Sequence, residues 1–218
     1  MPVDFEQLEG SKKSEAMLAE WATDLPGFIL ETGYFKTKDE HNQDRSEPIP
    51  NKDYLRTYLQ ELQDEQFVVV TKSRQVMVTW ATLAYLLACA LTRRNQLIIC
   101  QSKRLEDALS LVQRLYHLHD NLPGWIRKAR PRKVAPMAQL SKLEIPSQDS
   151  MIWAVPQGPD IVRSNTVSIY FSDETDFQPD ATASIRAAMP SIVGGGQAIL
   201  VSTPVLGGLT QKLIKGTW

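Results

Sequence analysis

The 218-residue sequence predicts an α/β domain built on a mainly parallel sheet. Three observations carry that reading. Continuous apolar runs such as Phe67-Val68-Val69-Val70 and Leu97-Ile98-Ile99-Cys100 suit strands covered on both faces. Segments whose apolar residues recur at helical spacing lie between such runs. The composition, 43% hydrophobic and 22% charged, is that of an ordinary globular chain able to bury a sizeable core.

Taken in order, residues 1–50 read as an N-terminal extension, with a helix near 11–22 and a polar surface loop at 36–50 closed by Pro48 and Pro50. Residues 51–218 read as the main domain. Tyr54, Leu55, Tyr58, Leu59 and Leu62 share one helical face. The strand at 67–70 is followed by a stretch, 75–92, without a charged residue. Its length just reaches that of a membrane-span candidate. Strand patterns flank it on both sides, however, and it carries Thr79, Thr82 and Thr92, so 77–92 is expected to be a helix buried inside the protein. A strand at 97–100 and a helix at 105–118 come next. Two strands within 143–155 surround a Ser-Gln-Asp-Ser turn. A strand at 167–171, a short helix at about 181–190 and a strand at 198–201 complete the alternation.

Several function classes fall away. A formal net charge of -1 excludes a general basic coat, though not a local basic patch. Cys89 and Cys100 sit in apolar surroundings and suggest neither a disulfide framework nor a zinc site. The N-terminus lacks a basic n-region and an apolar h-region, so secretion is not expected. His117 and His119 are two apart on a helix and do not share a face.

Two strand ends carry chemistry. The strand at 67–70 runs through Thr71 into Lys72-Ser73-Arg74-Gln75-Val76-Met77-Val78-Thr79 and then the buried helix. A strand, a short loop and a helix N-terminus make an anion site, because free backbone N–H groups and the helix dipole face the ligand. Against the P-loop pattern G-x-x-x-x-G-K-[ST], only the final hydroxyl, Thr79, stands. The strand at 167–171 ends in Ser172-Asp173-Glu174. Paired acids at such a strand end suit a Mg²⁺-dependent phosphoryl transfer, one holding the metal and the other handling the attacking water. The last strand leads into Ser202-Thr203-Pro204, small polar residues able to sense a γ-phosphate.

In this order, these pieces resemble the ATPase domain of the large terminase subunit of tailed bacteriophages, the motor that drives genome DNA into the procapsid. The resemblance spans about residues 54–218. It rests on Val-Thr-Lys-Ser-Arg-Gln-Val (70–76), Asn-Leu-Pro (121–123), Pro-Asp-Ile-Val-Arg-Ser-Asn (159–165), Ile-Tyr-Phe-Ser-Asp-Glu-Thr-Asp-Phe (169–177) and Ile-Leu-Val-Ser-Thr-Pro (199–204). It implies a P-loop NTPase of the additional-strand type that hydrolyses ATP with Mg²⁺. Residues 72–79 would surround the nucleotide, with Lys72 and Arg74 on the phosphates. Thr79 and Asp173 would hold the metal, and Glu174 would be the catalytic carboxylate. Arg163 matches the place of an arginine finger acting on a neighbouring subunit's ATP, and Ser202, Thr203 and Pro204 match the coupling motif. The implied partners are double-stranded DNA, a portal protein and a small terminase subunit. The implied assembly is a homo-oligomeric ring on the procapsid, monomeric in isolation, in the host cell cytoplasm and not on a membrane. No nuclease domain is expected within these residues.

Two departures stand out. Tyr54-Leu55 occupies the place where the family often has Tyr-Gln, whose Gln reads adenine, and Met77-Val78 occupies the place of the second glycine and the lysine. The altered P-loop leaves open an alternative, a non-hydrolysing module that binds DNA or procapsid as a scaffold. For DNA contact the candidate is the basic segment Arg127, Lys128, Arg130, Arg132 and Lys133, which could track phosphates without reading bases.

Overall fold

The computed structural model describes residues 10–38, 46–73, 76–133 and 141–217. The chain starts with α1 (Gly10–Trp21) and α2 (Leu25–Leu30), followed by a hairpin of β1 (Lys36–Lys38) and β2 (Ser46–Pro48). Then come α3 (Asp53–Asp64), β3 (Phe67–Thr71), α4 (Val78–Thr92), β4 (Leu97–Gln101), α5 (Leu105–Asp120) and α6 (Gly124–Ala129). β5 (Lys142–Ile145), β6 (Ser150–Val155), α7 (Asp160–Arg163), β7 (Ile169–Asp173), α8 (Ala181–Val193), β8 (Gln197–Ser202) and α9 (Leu209–Ile214) follow.

The large sheet has the order β3-β8-β7-β4-β6-β5. All its neighbours are parallel except β5, which pairs antiparallel with β6. The mixed α/β architecture with a mainly parallel sheet is therefore the one expected, and β8 is the additional strand, lying between β3 and the acid-bearing β7. Alternation along the central strands sends successive side chains into two separate cores. Ile98, Ile169, Phe171, Ile199 and Val201 face the core shared with α1–α6, whereas Ile99, Tyr170, Ala198 and Leu200 face the core shared with α7 and α8.

The uncharged helix is explained by its place. α4 packs against α1, α2, α3 and α5 and against the sheet, and every residue from Trp80 to Leu91 is buried. Its few polar side chains are satisfied: Tyr58 bonds Thr82 at 2.7 Å, and the Tyr85 hydroxyl donates to the Leu62 carbonyl at 2.6 Å. Among the described residues no helix is long and apolar enough to cross a membrane.

Three local findings depart from the sequence reading. Segment 36–50 is not simply a polar loop: residues 36–38 pair with 46–48, Thr37 is buried, and Phe35 and Ile49 anchor the hairpin in the core. α2 is capped by Asp24, whose carboxylate accepts the Gly27 amide at 2.9 Å, and carries Pro26 in its first turn, where a missing amide costs nothing. α8 continues past Pro190 to Val193, because a proline in the last turn forfeits one amide bond while its carbonyl still accepts from Gly194. Residues 18–49 share their core with α3–α5, through Leu18, Leu25, Phe28, Ile29, Phe35 and Ile49.

Candidate nucleotide site

Parallel strands deliver their C-terminal ends to one rim of the sheet, where α/β folds bind ligands. Here β3, β8 and β7 lie side by side, and Thr71, Ser202 and Asp173 come at their ends. The Lys72 amide donates to the Ser202 carbonyl at 2.9 Å, so β3 and β8 stay zipped to the start of the phosphate loop.

The loop then turns into α4. Met77 is the N-cap, with φ 56 and ψ 1, a left-handed conformation that glycine would adopt without strain. No side chain caps this end, so the first-turn amides of α4 remain available to an anion. Val78, in the place of the usual lysine, is 6% exposed and packs into the core. Ser73 and Thr71 are exposed. Arg74 and Gln75, both expected at this site, lie outside the described residues.

Across the rim, Asp173 and Glu174 point to different partners. Thr79 Oγ1 donates to Asp173 Oδ1 at 3.4 Å, bringing together the two oxygen ligands expected of a Mg²⁺ site. Burial pushes the Asp173 carboxyl up to about 6; Lys72 opposes that rise and the neighbouring Glu174 carboxylate adds to it. A divalent cation would relieve this strain, so the residues fit Mg²⁺. Among the described residues there is no cluster of three or more His, Cys, Asp or Glu to hold a metal unaided. Mg²⁺ does not require one, since it is commonly held by one or two carboxylates plus substrate phosphates.

Glu174 is itself left-handed, at φ 52 and ψ 49. Its carboxylate receives Lys72 Nζ at 2.9 Å, the Thr203 amide at 3.0 Å and the Thr203 hydroxyl at 3.3 Å. Partial burial raises its carboxyl, but the Thr203 amide and Lys72 outweigh that and hold it below the usual range. Glu174 is therefore ionised and fixed in direction at neutral pH.

The turn after β7 also grips the end of β8. The Asp176 amide donates to Ser202 Oγ at 3.1 Å. The Asp176 carboxylate accepts the Thr210 amide at 2.8 Å, the Thr210 hydroxyl at 2.7 Å and the Val205 amide at 3.2 Å. A Cβ on Gly208 would stand 2.4 Å from Asp176 Oδ2, so the approach needs glycine there. Ser202 is buried and Pro204 exposed. Asp176 escaped sequence reading, although it closes the Asp-Glu-Thr-Asp run.

Beside the phosphate loop opens a cavity of about 580 Å³, lined by Lys52, Tyr54, Tyr58, Val70 and Val76. The Tyr54 hydroxyl donates to the Val76 carbonyl at 3.4 Å, whereas Leu55 is wholly buried in the core. Arg163 is not drawn into the cluster. It stands on α7 with its side chain 68% exposed, 3.8 Å from Asp160 one turn away.

The basic segment needs a correction. Arg130 is 5% exposed: its Nε donates to the Leu91 carbonyl at the end of α4, and its other nitrogens clasp both oxygens of Glu15 on α1. It cannot track DNA phosphates. Arg132 forks onto Asp120 at 2.8 and 3.0 Å and lies over Tyr116, while Lys133 pairs with Glu144 at 3.1 Å. Arg127 donates to the Leu122 carbonyl, and Lys128 is exposed. Only Arg130 is withdrawn from the surface; Arg127, Lys128 and Lys133 stay exposed.

Known structures share the fold. The Thermus phage P74-26 large terminase ATPase domain superposes with a TM-score of 0.52 at 15% identity, covering 67% of this chain and 64% of that one. The HK97 bacteriophage large terminase gives 0.69 at 14% identity, over 89% of this chain. The chain has the fold of a phage large-terminase ATPase domain. It spans 40% of the HK97 protein's length. The UvsW helicase of bacteriophage T4 also shares the architecture, with a TM-score of 0.55 at 9% identity over 92% of this chain and 64% of that one. No protein-family model matches the sequence, and no curated protein matches it.

Proposed function

We propose that this chain is the ATPase motor of a phage large terminase, coupling ATP hydrolysis to translocation of double-stranded DNA into a procapsid. The observation that carries the reading is the meeting of Lys72 and Thr79 with Asp173, Glu174 and Thr203 across β3, β8 and β7. The terminase fold supports it. The intact carboxylate side does not favour the scaffold alternative.

In this mechanism the α4 amides and Lys72 bind the triphosphate. Thr79 and Asp173 would hold Mg²⁺, which neutralises charge on the phosphates. Glu174, aimed by Thr203, orients water against the γ-phosphorus and accepts its proton as the bond to the leaving ADP breaks. Glu174 also gains freedom as Lys72 turns to phosphate, and Thr203 links that change to β8 and, through Ser202 and Asp176, to α9. Arg163, exposed on α7 and paired there only with Asp160 among the described residues, completes the site of a neighbouring subunit in a ring. Double-stranded DNA, portal protein and a small terminase subunit are the partners on this reading, in the host cytoplasm.

The test is Mg²⁺-dependent phosphate release, measured for the isolated protein and for protein assembled with procapsids and double-stranded DNA. The isolated chain should be a feeble ATPase that assembly stimulates. Arg163→Ala should change little in isolation and cost roughly 10³–10⁵ in the assembled rate. Mixing Arg163→Ala with Glu174→Gln subunits should restore part of that rate, because some interfaces regain one intact finger and one intact acid. Equal loss in isolation and assembly, with no recovery on mixing, would place Arg163 in its own subunit's site.

A further inference from the structure

A second cavity, of about 150 Å³, lies against the first turn of α4. Its walls are Lys72, Met77, Val78, Thr79 and Trp80, together with Arg114, which arrives from α5. The Arg114 guanidinium lies over the Trp80 ring, 5.4 Å from its centroid, and Trp80 is buried and braced on its ring edge by His117. That cation–π contact holds the guanidinium beside the ring without occupying its N–H groups with an acceptor. Among the described residues Arg114 makes no ion pair within 4 Å, though its charge acts on the Asp173 carboxylate across the cavity. Lys72, by contrast, already engages Glu174 at 2.9 Å, and Val78 brings no charge to the place where a P-loop has its lysine.

We infer that Arg114 supplies the missing P-loop cation, donating to the β- and γ-phosphates of the nucleotide from α5 rather than from the loop. The inference rests on the reading of this rim as a nucleoside triphosphate site. It also gives Trp80 a role, that of a platform presenting Arg114. A helix N-terminus holding a triphosphate needs a side-chain cation near the terminal phosphate. Lys72 reaches the phosphates only by leaving Glu174, whereas Arg114, on the same cavity, gives up no ion pair to do so.

The experiment is titration of the intact chain with Mg²⁺ and fluorescent ATP or ADP analogues. Wild type is compared with Arg114→Gln and Arg114→Lys, each checked by thermal melting. Loss of charged hydrogen bonds to the terminal phosphate should weaken ATP binding by Arg114→Gln about 10- to 100-fold, and ADP binding several-fold less. Arg114→Lys, which keeps the charge but not the stacked fork, should recover part of the ATP affinity. Equal weakening of ATP and ADP, or wild-type affinity for both, would overturn the assignment while leaving the nucleotide site standing. Failure of wild type to bind either nucleotide would take down the site itself and the assignment with it. If Arg114→Gln melts early, the ATP-to-ADP affinity ratio of Arg114→Lys decides: an unchanged ratio overturns the inference.

Discussion

The two loops that flank the additional strand keep the P-loop pattern to different degrees. On the phosphate side, Met77 and Val78 replace the usual glycine and lysine, yet the backbone still takes a left-handed step and opens a helix N-terminus. On the carboxylate side, the Asp173 carboxylate accepts from Thr79 and the Glu174 carboxylate from Thr203, each through a named atom. The difference is one of working parts. An amide cradle is built of backbone, so its side chains can drift as long as the main-chain path survives. A metal ligand or a water-orienting acid acts through side-chain oxygens and has no such latitude.

Substitutions on either side can break or sharpen that contrast. The largest effect belongs to Glu174→Gln, which should lower the hydrolysis rate by roughly 10²–10⁴. Equilibrium ATP binding should survive, as filter retention of labelled ATP would show. An active Glu174→Gln enzyme would remove the acid from the mechanism.

Asp173→Asn should abolish Mg²⁺-dependent hydrolysis and yet stabilise the fold. The Asp173 carboxyl rises from 3.8 to about 6 on folding, so its own contribution to stability is most favourable in acid and falls as pH climbs through about 4 to 6. Asparagine avoids that fall. The gain should be about 2 kcal/mol at pH 7.5, below the full 1.36 kcal/mol per pKa unit because the side chain keeps some contact with water. It should vanish below pH 4, where the acid is protonated in both states. Urea melts at the two pH values would read it, and a gain that persists in acid would refute the electrostatic cause.

The smallest effect should come from Met77→Gly. Relief of left-handed strain, partly offset by glycine's freer unfolded chain, predicts a gain of roughly 0.5–1 kcal/mol. That corresponds to about 1–4 °C in Tm for a chain of this size. ATP affinity should not fall, since the cradle is main chain. A clear loss of affinity would show that the Met77 side chain itself contributes.

Sequence reading succeeded where a pattern is local. Four apolar runs gave four sheet strands, the uncharged stretch gave α4, and Asp173-Glu174 marked the end of β7 at the residues where it lies. It failed where a residue's partner is distant in the chain. Arg130 looked like one of five surface cations, but Glu15 and Leu91 bury it. Arg114 carried no motif at all; only the packing of α5 against α4 brings it to the phosphate loop. Leu55 looked like an altered base reader, and its spacing on α3 instead sends it into the core. The hairpin at 36–48 was hidden because its strands are three residues long and mostly polar.

The clasp between Arg130 and Glu15 bears on how the domain can be cut. A protein shortened to begin at residue 22 would keep the whole sheet and every residue of the nucleotide rim. It would also strand a guanidinium that is 5% exposed in the full fold, with its carboxylate partner gone. Glu15 is itself 57% exposed, so losing the pair should cost about 1 kcal/mol, and the loss of Leu18 from the core adds to that. A cut chosen from the sheet alone would remove the partner of an arginine near the middle of the chain, and α1 belongs among the elements that such a cut should spare.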